Sequence, residues 1–390
     1  MLTPRTALTR RVLAALDASP SRIPVLVGGC GSGRTTLLQQ LRDRLGRTGV
    51  QYIDVERTAT TPERFLRAVA ATSPFPISEG APNGARAAFE TTLAFFTRAR
   101  TGGNEPATFL LDEFLELRTF ESFPGLRRVL SELIDGLSAT PNRFVVTSRY
   151  VARTLRLLRD RSSRFEVIHV PALTAEDVLD ILGPLPGADA HATELVARAV
   201  LALSEGRPAY VRALVDELTL MHAQRGQGAQ GAQGAMTGRD PVGALSALFS
   251  PGGQLAKSCG FCYELRLHRA RGYGALKAIL EILADEEGLT LTEISHRLQR
   301  TPGSTKDYLS WLEDVDLVTF RQKRYTYTDP LLRVWVRLYC RASAPSDDDL
   351  AREVHRYALP RLPQAEPIRQ AEPTYAMATA GSPTGLIEID

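Results

Sequence analysis

Two kinds of apolar pattern alternate along residues 1–172. Short, continuously apolar runs are typical of strands that a parallel sheet buries on both faces. Between these runs, apolar residues recur every three or four positions, as in helices that pack on a sheet. The alternation predicts an α/β fold with a parallel sheet that helices cover on both faces. The runs that predict strands are residues 23–27, 52–55, 108–111, 143–147 and 166–170.

The pattern becomes entirely helical after residue 172. Three helical segments, the last starting at Pro208 and ending near residue 222, predict a small helical lid over residues 173–222. The next stretch is rich in Gly, Gln and Ala and low in complexity. Such a composition is typical of flexible connections, so residues 223–245 are predicted to be a linker.

A third pattern covers residues 246–342. Three short amphipathic helices precede two short strands, which flank a basic turn at residues 321–324. This succession predicts a winged helix-turn-helix domain. Residues 343–390 are rich in Pro, Ala and acidic residues, and we expect a disordered tail there. The predicted helices are residues 275–283, 292–298 and 304–313, and the predicted strands are residues 317–320 and 325–327.

Composition narrows the class of protein further. The 390 residues are 44% hydrophobic and 23% charged, which excludes a fully disordered chain. The formal net charge of +3 is too balanced to indicate nucleic-acid binding by itself. Four cysteines form no disulfide framework, and no apolar stretch reaches the ~18 residues of a membrane span. We therefore expect a cytoplasmic protein in a reducing compartment, with no membrane partner.

A glycine-rich turn directly follows the first predicted strand and precedes a predicted helix. It fits the phosphate-loop pattern G-x-x-x-x-G-K-[ST], with Arg34 in place of the lysine. The glycines let backbone N–H groups converge on phosphates, and the Thr35 hydroxyl is a ligand for Mg²⁺. The pattern predicts binding of a nucleotide with Mg²⁺ by Gly28, Gly29, Cys30, Gly31, Ser32, Gly33, Arg34, Thr35 and Thr36, with adenine and guanine nucleotides as alternatives. Arginine binds phosphate but places its charge differently from lysine, so hydrolysis stays open.

Acidic and polar side chains follow two later strands of the predicted sheet. Asp112 and Glu113 end the third strand, where Asp112 would bind Mg²⁺ and Glu113 would polarise the attacking water. The fourth strand ends with Thr147, Ser148 and Arg149. Thr147 or Ser148 would orient that water, and Arg149 would contact the γ-phosphate. An ordinary strand-end turn is the alternative interpretation of this last segment.

The cysteines offer a second, weaker pattern. Cys259 and Cys262 form a C-x-x-C, but a zinc site needs four ligands, and His268 is the nearest third candidate. Buried cysteines on a helix are the favoured interpretation. Cys30 lies inside the phosphate loop, so its oxidation or alkylation would block nucleotide binding if it is exposed.

Several motifs together resemble the archaeal-type ATPases of the AAA+/STAND group. They include GGCGSGRTT (28–36), FLLDE (109–113), VVTSR (145–149), EGRPAYVRAL (205–214) and YTYTDPLLRVWVRLY (325–339). The resemblance implies an ATP-dependent protein that couples its nucleotide state to a macromolecular partner. It also implies that Pro208 packs against adenine. In oligomeric members an arginine such as Arg159, Arg161 or Arg164 reaches a neighbour's phosphate, so a homo-oligomer is open, with a solvated basic loop as the alternative.

The sequence gives weaker signals about the chemical nature of the macromolecular partner. The predicted second helix of the helix-turn-helix carries one lysine against two acids, and the turn at 321–324 is the one basic cluster. Protein or intramolecular contact is therefore favoured over DNA contact. The leading hypothesis is a Mg-dependent ATPase that moves its winged helix with nucleotide state. A non-hydrolysing nucleotide switch or DNA-binding regulator is the alternative.

Overall fold

A computed structural model describes residues 5–76, 82–185, 189–228, 237, 240–268 and 272–362. The first part of the chain alternates strands and helices as the apolar pattern predicts. Its elements are α1 (Thr6–Leu16), β1 (Ile23–Val27), α2 (Arg34–Leu45), β2 (Val50–Asp54), α3 (Val55–Thr58), α4 (Pro62–Ala71), α5 (Ala85–Arg98), β3 (Thr108–Asp112), a 3-10 segment (Phe114–Ser122), α6 (Val129–Ala139), β4 (Arg143–Ser148), α7 (Val151–Leu158) and β5 (Phe165–His169).

The five strands form one sheet in the order β2-β3-β4-β1-β5, and every neighbouring pair is parallel. Side chains alternate between its two faces. On one face Leu110 and Val145 pack with α1 and α2, and on the other Phe109 stacks on Phe144 at 5.4 Å between ring centroids. The predicted parallel sheet with helices on both faces is therefore confirmed, and its arrangement fits a P-loop NTPase fold.

The sheet order determines where polar side chains can meet. β4 lies between β1 and β3, so the carboxyl ends of these three strands are neighbours at one edge of the sheet. The phosphate loop follows β1, Glu113 follows β3, and Arg149 follows β4. Ligands of open α/β sheets bind outside the carboxyl ends of the strands, so this edge is the candidate site.

The remainder of the described chain is mainly helical. It comprises α8 (Ala175–Leu182), α9 (Ala190–Ser204), α10 (Pro208–Gly228), α11 (Asp240–Phe249), α12 (Gln254–His268), α13 (Tyr273–Asp285), α14 (Leu291–Leu298), α15 (Pro302–Asp314), the antiparallel strands β6 (Val318–Arg321) and β7 (Arg324–Tyr327), α16 (Pro330–Tyr339) and α17 (Asp347–Ala358). None of the helices in the described residues combines the length and apolarity that crossing a bilayer requires.

The predicted linker at 223–245 is wrong at both ends. α10 continues to Gly228 and α11 begins at Asp240, so both ends of the predicted linker are helical. Ala and Gln are good helix formers, and the low complexity of the segment hid this propensity. Leu245 and Leu248 are buried on α11, so packing stabilises that helix. Residues 229–236 and 238–239 lie outside the described residues.

The predicted disordered tail is wrong for α17. Ser346 and Asp349 form a capping box at its start, where acidic side chains are favourable near the helix N-terminus. Tyr357 donates a hydrogen bond to the carbonyl of Leu203 at 2.8 Å, and Arg337 forms an ion pair with the buried Glu353 at 2.6 Å. The acidic composition that suggested disorder is therefore that of a helix start. Residues 363–390 lie outside the described residues.

Replacing Leu350 by alanine tests whether α17 is part of the folded core. Leu350 is 4% exposed, so we expect Leu350→Ala to lower the free energy of unfolding by about 2–4 kcal/mol. Urea denaturation followed by circular dichroism would measure the shift. Arg352→Ala, at an exposed position of the same helix, is the control, with an expected change below about 1 kcal/mol. Equal midpoints for the wild type and Leu350→Ala would contradict a packed α17.

Candidate nucleotide-binding site

The phosphate loop needs its glycines for both backbone conformation and space. Gly31 and Gly33 adopt φ angles of 76° and 86°, in the left-handed region that favours glycine. A Cβ on Gly28 would lie 2.9 Å from the Ser32 hydroxyl, and a Cβ on Gly31 would lie 2.9 Å from the Cβ of Ala209. The loop thus forms a tight cradle of backbone N–H groups at the start of α2, which suits phosphate oxygens.

Asp112 is fixed by two hydroxyl groups at the edge of the sheet. The Thr147 hydroxyl donates to its Oδ1 at 2.5 Å, and the Tyr52 hydroxyl donates to its Oδ2 at 3.0 Å. The same Thr147 oxygen accepts a hydrogen bond from the backbone N–H of Glu113 at 2.9 Å. Burial and the Asp112 carboxylate raise the pKa of Tyr52 well above its usual value, so Tyr52 stays a donor. Asp112 is therefore oriented before any ligand binds.

Arg34 and Glu113 form a buried ion pair across the site. Arg34 Nη2 donates to Glu113 Oε1 at 2.6 Å, and the side chains are 8% and 7% exposed. Arg34 Nη1 also donates to the carbonyl of Gly29 at 2.7 Å and to the Ser32 hydroxyl at 3.0 Å. Burial alone would raise the pKa of Glu113, but the Arg34 and Arg149 guanidinium groups lower it below its ordinary value. Glu113 is consequently ionised and attached to the phosphate loop.

The second carboxylate oxygen of Glu113, Oε2, is bound by Arg149. The backbone N–H of Arg149 donates to Glu113 Oε2 at 3.0 Å, and its Nε lies 3.2 Å from the same oxygen. Arg149 also forms an ion pair with Glu56 on α3, an acid that the sequence analysis missed. Burial opposes the charge of Arg149, but Glu113 and Glu56 raise its pKa above the ordinary value. Both arginines of the site are thus engaged with Glu113.

A cavity of about 320 Å³ opens beside the phosphate loop, under the start of α10. Thr35 and Thr36 line it together with Pro208, whose ring lies 3.6 Å from the position of a Cβ on Gly33. Further lining residues are Arg5, Leu173, Ile181 and Arg212, of which Arg212 belongs to the motif at 205–214. Thr35, a predicted Mg²⁺ ligand, is exposed here. Apolar and basic side chains beside a phosphate cradle are the surroundings that a nucleotide requires.

Arg161 and Arg164 serve contacts within the chain. Arg161 forms an ion pair with Asp135 at 3.0 Å. Arg164 donates to the carbonyls of Ser21 and Ser138, both at 2.8 Å, next to the start of β5. That start lies at the edge of the sheet opposite the phosphate loop, because β5 runs parallel to β1. These contacts account for both arginines without a neighbouring subunit.

The cysteines of α12 differ in their surroundings. Cys259 is buried, as the favoured interpretation expects, whereas Cys262 is only half-buried. Among the described residues, no group of three or more His, Cys, Asp or Glu side chains is placed to bind a metal ion. Arg266, one turn after Cys262, donates to Cys30 Sγ at 3.0 Å. This contact between the phosphate loop and α12 joins residues 236 positions apart, and no sequence motif predicts it.

Sheet and phosphate loop together define a P-loop NTPase fold. The chain matches no family model and no curated protein. It is similar in structure to the Walker-type ATPase PABY2304 of Pyrococcus abyssi, with TM-score 0.60, 16% identity, and coverage of 86% of this chain and 96% of that chain. This likeness shows the shared fold.

Two further solved structures are similar to a lower degree. The Orc1 protein of Aeropyrum pernix in complex with DNA has TM-score 0.48 and 16% identity, covering 91% of this chain and 93% of that chain. A single-residue variant of RuvB of Thermotoga maritima has TM-score 0.43 and 14% identity, covering 83% and 92%.

Removing the Thr147 hydroxyl tests the orientation of Asp112. We expect Thr147→Val to weaken Mg²⁺-dependent binding of ATP by about tenfold, because Asp112 loses one of its two hydroxyl donors. Titration of a fluorescent ATP analogue with and without Mg²⁺ would measure this. Thr140→Val, another buried threonine, is the control because its hydroxyl donates to the carbonyl of Thr97 instead. Equal Mg²⁺ dependence in the wild type and Thr147→Val would show that Thr147 does not orient Asp112.

Proposed function

We propose that this protein is a Mg-dependent ATPase whose nucleotide state repositions its C-terminal segment against a macromolecular partner. The observation that carries the proposal is the buried ion pair between Arg34 and Glu113, inside a glycine cradle built for phosphate. It places a phosphate-binding cation and a carboxylate that can polarise water within 2.6 Å of each other. A bound triphosphate competes with Glu113 for Arg34, so binding and activation of Glu113 are one event.

The donor set of the site fits ATP with Mg²⁺. Thr35 and Asp112 would hold the metal, since hydroxyl and carboxylate oxygens are the ligands that Mg²⁺ prefers. Bound Mg²⁺ supplies positive charge that neutralises the phosphates. The N–H groups of the phosphate loop bind the phosphate oxygens, and the cavity beside Pro208 receives the adenine. Gly28 and Gly31 leave the space this requires, because a Cβ on either would meet a neighbouring side chain at 2.9 Å.

Four side chains of the site have separate roles in the proposed hydrolysis. Arg34 moves from Glu113 to the terminal phosphates, where its charge stabilises the transition state. Glu113, freed at Oε1, accepts a hydrogen bond from the attacking water and polarises it. Thr147 keeps Asp112 in place and orients the backbone of Glu113. Arg149 stays paired with Glu113 Oε2 when Arg34 leaves Oε1, and its position responds to the γ-phosphate.

The alternative function is a nucleotide switch with negligible turnover. Its supporting observation is that both carboxylate oxygens of Glu113 are occupied, one by Arg34 and one by Arg149. If Arg34 also stays on Glu113 Oε1 after ATP binds, neither carboxylate oxygen is free for the attacking water. The protein would then report ATP binding by its conformation alone, as a regulator of protein or DNA contacts.

Contacts between the sheet edge and the C-terminal helices provide a route for coupling. Asp316, after α15, accepts hydrogen bonds from the backbone N–H groups of Val151 and Ala152 at the start of α7. Arg207, beside the phosphate loop, donates to Asp329 at 2.8 Å. We interpret α13 to α15 with β6 and β7 as a winged helix. Motion of Arg149 on nucleotide binding is transmitted to this winged helix through α7.

The partner of this winged helix is a protein or DNA, and protein is favoured. The exposed side chains of α15 include Lys306, Asp307 and Ser310, a mixture that gives DNA phosphates little net attraction.

Replacing Glu113 by glutamine tests hydrolysis. We expect Glu113→Gln to bind ATP and to lower the turnover rate by at least about 100-fold, because the amide cannot polarise water as a carboxylate does. Phosphate release and binding of a fluorescent ATP analogue would be measured together. Glu121→Gln, on the 3-10 segment that directly follows Glu113 but without contact to Arg34 in the described residues, is the control. Binding without turnover by the wild type would instead establish the switch.

Replacing Asp316 by alanine tests the coupling route. We expect ATP to change amide hydrogen exchange of β6, β7 and α15 in the wild type, and to change it at least about threefold less in Asp316→Ala. The reason is that Asp316 caps α7, which begins two residues after Arg149. Asp307→Ala, an exposed position on α15, serves as the control. The same ATP-induced change in Asp316→Ala and the wild type would exclude this route.

A further inference from the structure

The thiol of Cys30 faces a buried cation. Arg266 on α12 is only 4% exposed, and its Nη2 donates to Cys30 Sγ at 3.0 Å. Its Nη1 donates to the carbonyl of Asp316 at 2.7 Å, which fixes the guanidinium in place. Cys30 itself is half-buried in the phosphate loop, so a small reagent can still reach it. A fixed cation beside an accessible thiol favours the thiolate, which is the reactive form of cysteine.

A second thiol lies beside the first. Cys262 precedes Arg266 by four residues on α12, so both side chains lie on the face of the helix that meets the phosphate loop. The Cys262 thiol lies near enough to that of Cys30 for the two to shift each other's pKa. Cys259, the other cysteine of the C-x-x-C, is buried beside Tyr210 instead. The cysteine pair of this structure therefore joins two elements, the phosphate loop and α12, and is not the pair that the sequence motif suggests.

The two thiols are electrostatically unequal. The hydrogen bond from Cys262, followed by the charges of Arg266, Arg149 and Arg34, lowers the pKa of Cys30 well below its usual value against the effect of burial. The hydrogen bond to Cys30 and burial raise the pKa of Cys262. Burial also raises the pKa of Cys259 well above its ordinary value, so Cys259 is an inert thiol. Cys30 has the character of the attacking sulfur and Cys262 that of the resolving one.

We propose that Cys30 and Cys262 are a peroxide-sensitive pair whose disulfide fixes α12 on the phosphate loop. The Cys30 thiolate attacks one oxygen of hydrogen peroxide, the O–O bond breaks, and the leaving hydroxide takes a proton to become water. The Cys262 sulfur then attacks the sulfenic sulfur of Cys30, and the displaced hydroxide takes the Cys262 proton. Two thiols lose two electrons in total, and one peroxide becomes two waters.

The disulfide would regulate the proposed nucleotide site, and this part of the inference rests on the proposed function. The phosphate loop must adjust as Arg34 moves between Glu113 and phosphate. A covalent bond from Cys30 to α12 restrains that adjustment and prevents α12 from separating from the loop. Oxidation is therefore expected to trap bound nucleotide and slow its release, while reduction restores exchange.

Mapping of the oxidised protein tests the pair directly. The full chain would be treated with hydrogen peroxide, the remaining thiols blocked, and the peptides analysed by mass spectrometry. A Cys30–Cys262 cross-linked peptide that dithiothreitol removes is the expected product. Cys262→Ser should stop at the Cys30 sulfenic acid, which dimedone traps, whereas Cys340→Ser should form the cross-link normally. A Cys259–Cys262 disulfide, or an unmodified Cys30, would overturn the proposal.

Release of a fluorescent ADP analogue tests the consequence. We expect oxidised wild-type protein to release it about tenfold more slowly than reduced protein, with recovery after dithiothreitol. Equal release rates with the cross-link present would overturn the regulatory part. A cross-linked protein that binds no nucleotide even after reduction would overturn the proposed function while supporting the thiol pair. The two failures are thus distinguishable.

Discussion

The ion pair between Arg34 and Glu113 is the interaction on which the rest of the site depends. Both side chains are nearly excluded from water, and an unpaired charge in such a place costs about 3–5 kcal/mol. Arg34 can therefore leave Glu113 only for another anion, and Glu113 must retain another cation. Phosphate meets the first requirement and Arg149 the second. This constraint couples the charges of the phosphate loop with those at the ends of β3 and β4, so that the three segments act as one electrostatic unit.

The same constraint connects the site with the C-terminal helices. Arg149 balances Glu113 and Glu56, and α7 begins two residues later under the cap of Asp316. Arg266 carries another buried charge, and it binds both the Asp316 carbonyl and the Cys30 thiol. A shift of charged side chains at the sheet edge can thus be transmitted to α12 and α15 by two routes. One route is the pair of hydrogen bonds from the backbone of α7 to Asp316, and the other is the contact between Cys30 in the phosphate loop and Arg266 on α12.

Much of the sheet and its edge could be predicted from the sequence because the signals are local. Continuous apolar runs identify buried strands, and parallel strands bring their carboxyl ends together, so these signals place Asp112, Glu113 and Thr147 close to one another. The pairing of Arg34 with Glu113 and the contacts of Glu56 and Arg266 arise from long-range packing, which no motif encodes. The linker and tail predictions are wrong where a composition typical of disorder forms helices, and capping at Ser346 and buried leucines on α11 are the helix signals there.

A double-mutant cycle on ATP affinity tests the central claim most directly. It compares the wild type with Arg34→Ala, Glu113→Gln and the double variant, each without hydrolysis during the measurement. If ATP competes with Glu113 for Arg34, Glu113→Gln tightens binding where Arg34 is present and has no effect where residue 34 is alanine. An identical effect of Glu113→Gln in both backgrounds would show that the two side chains act independently, and would contradict the account.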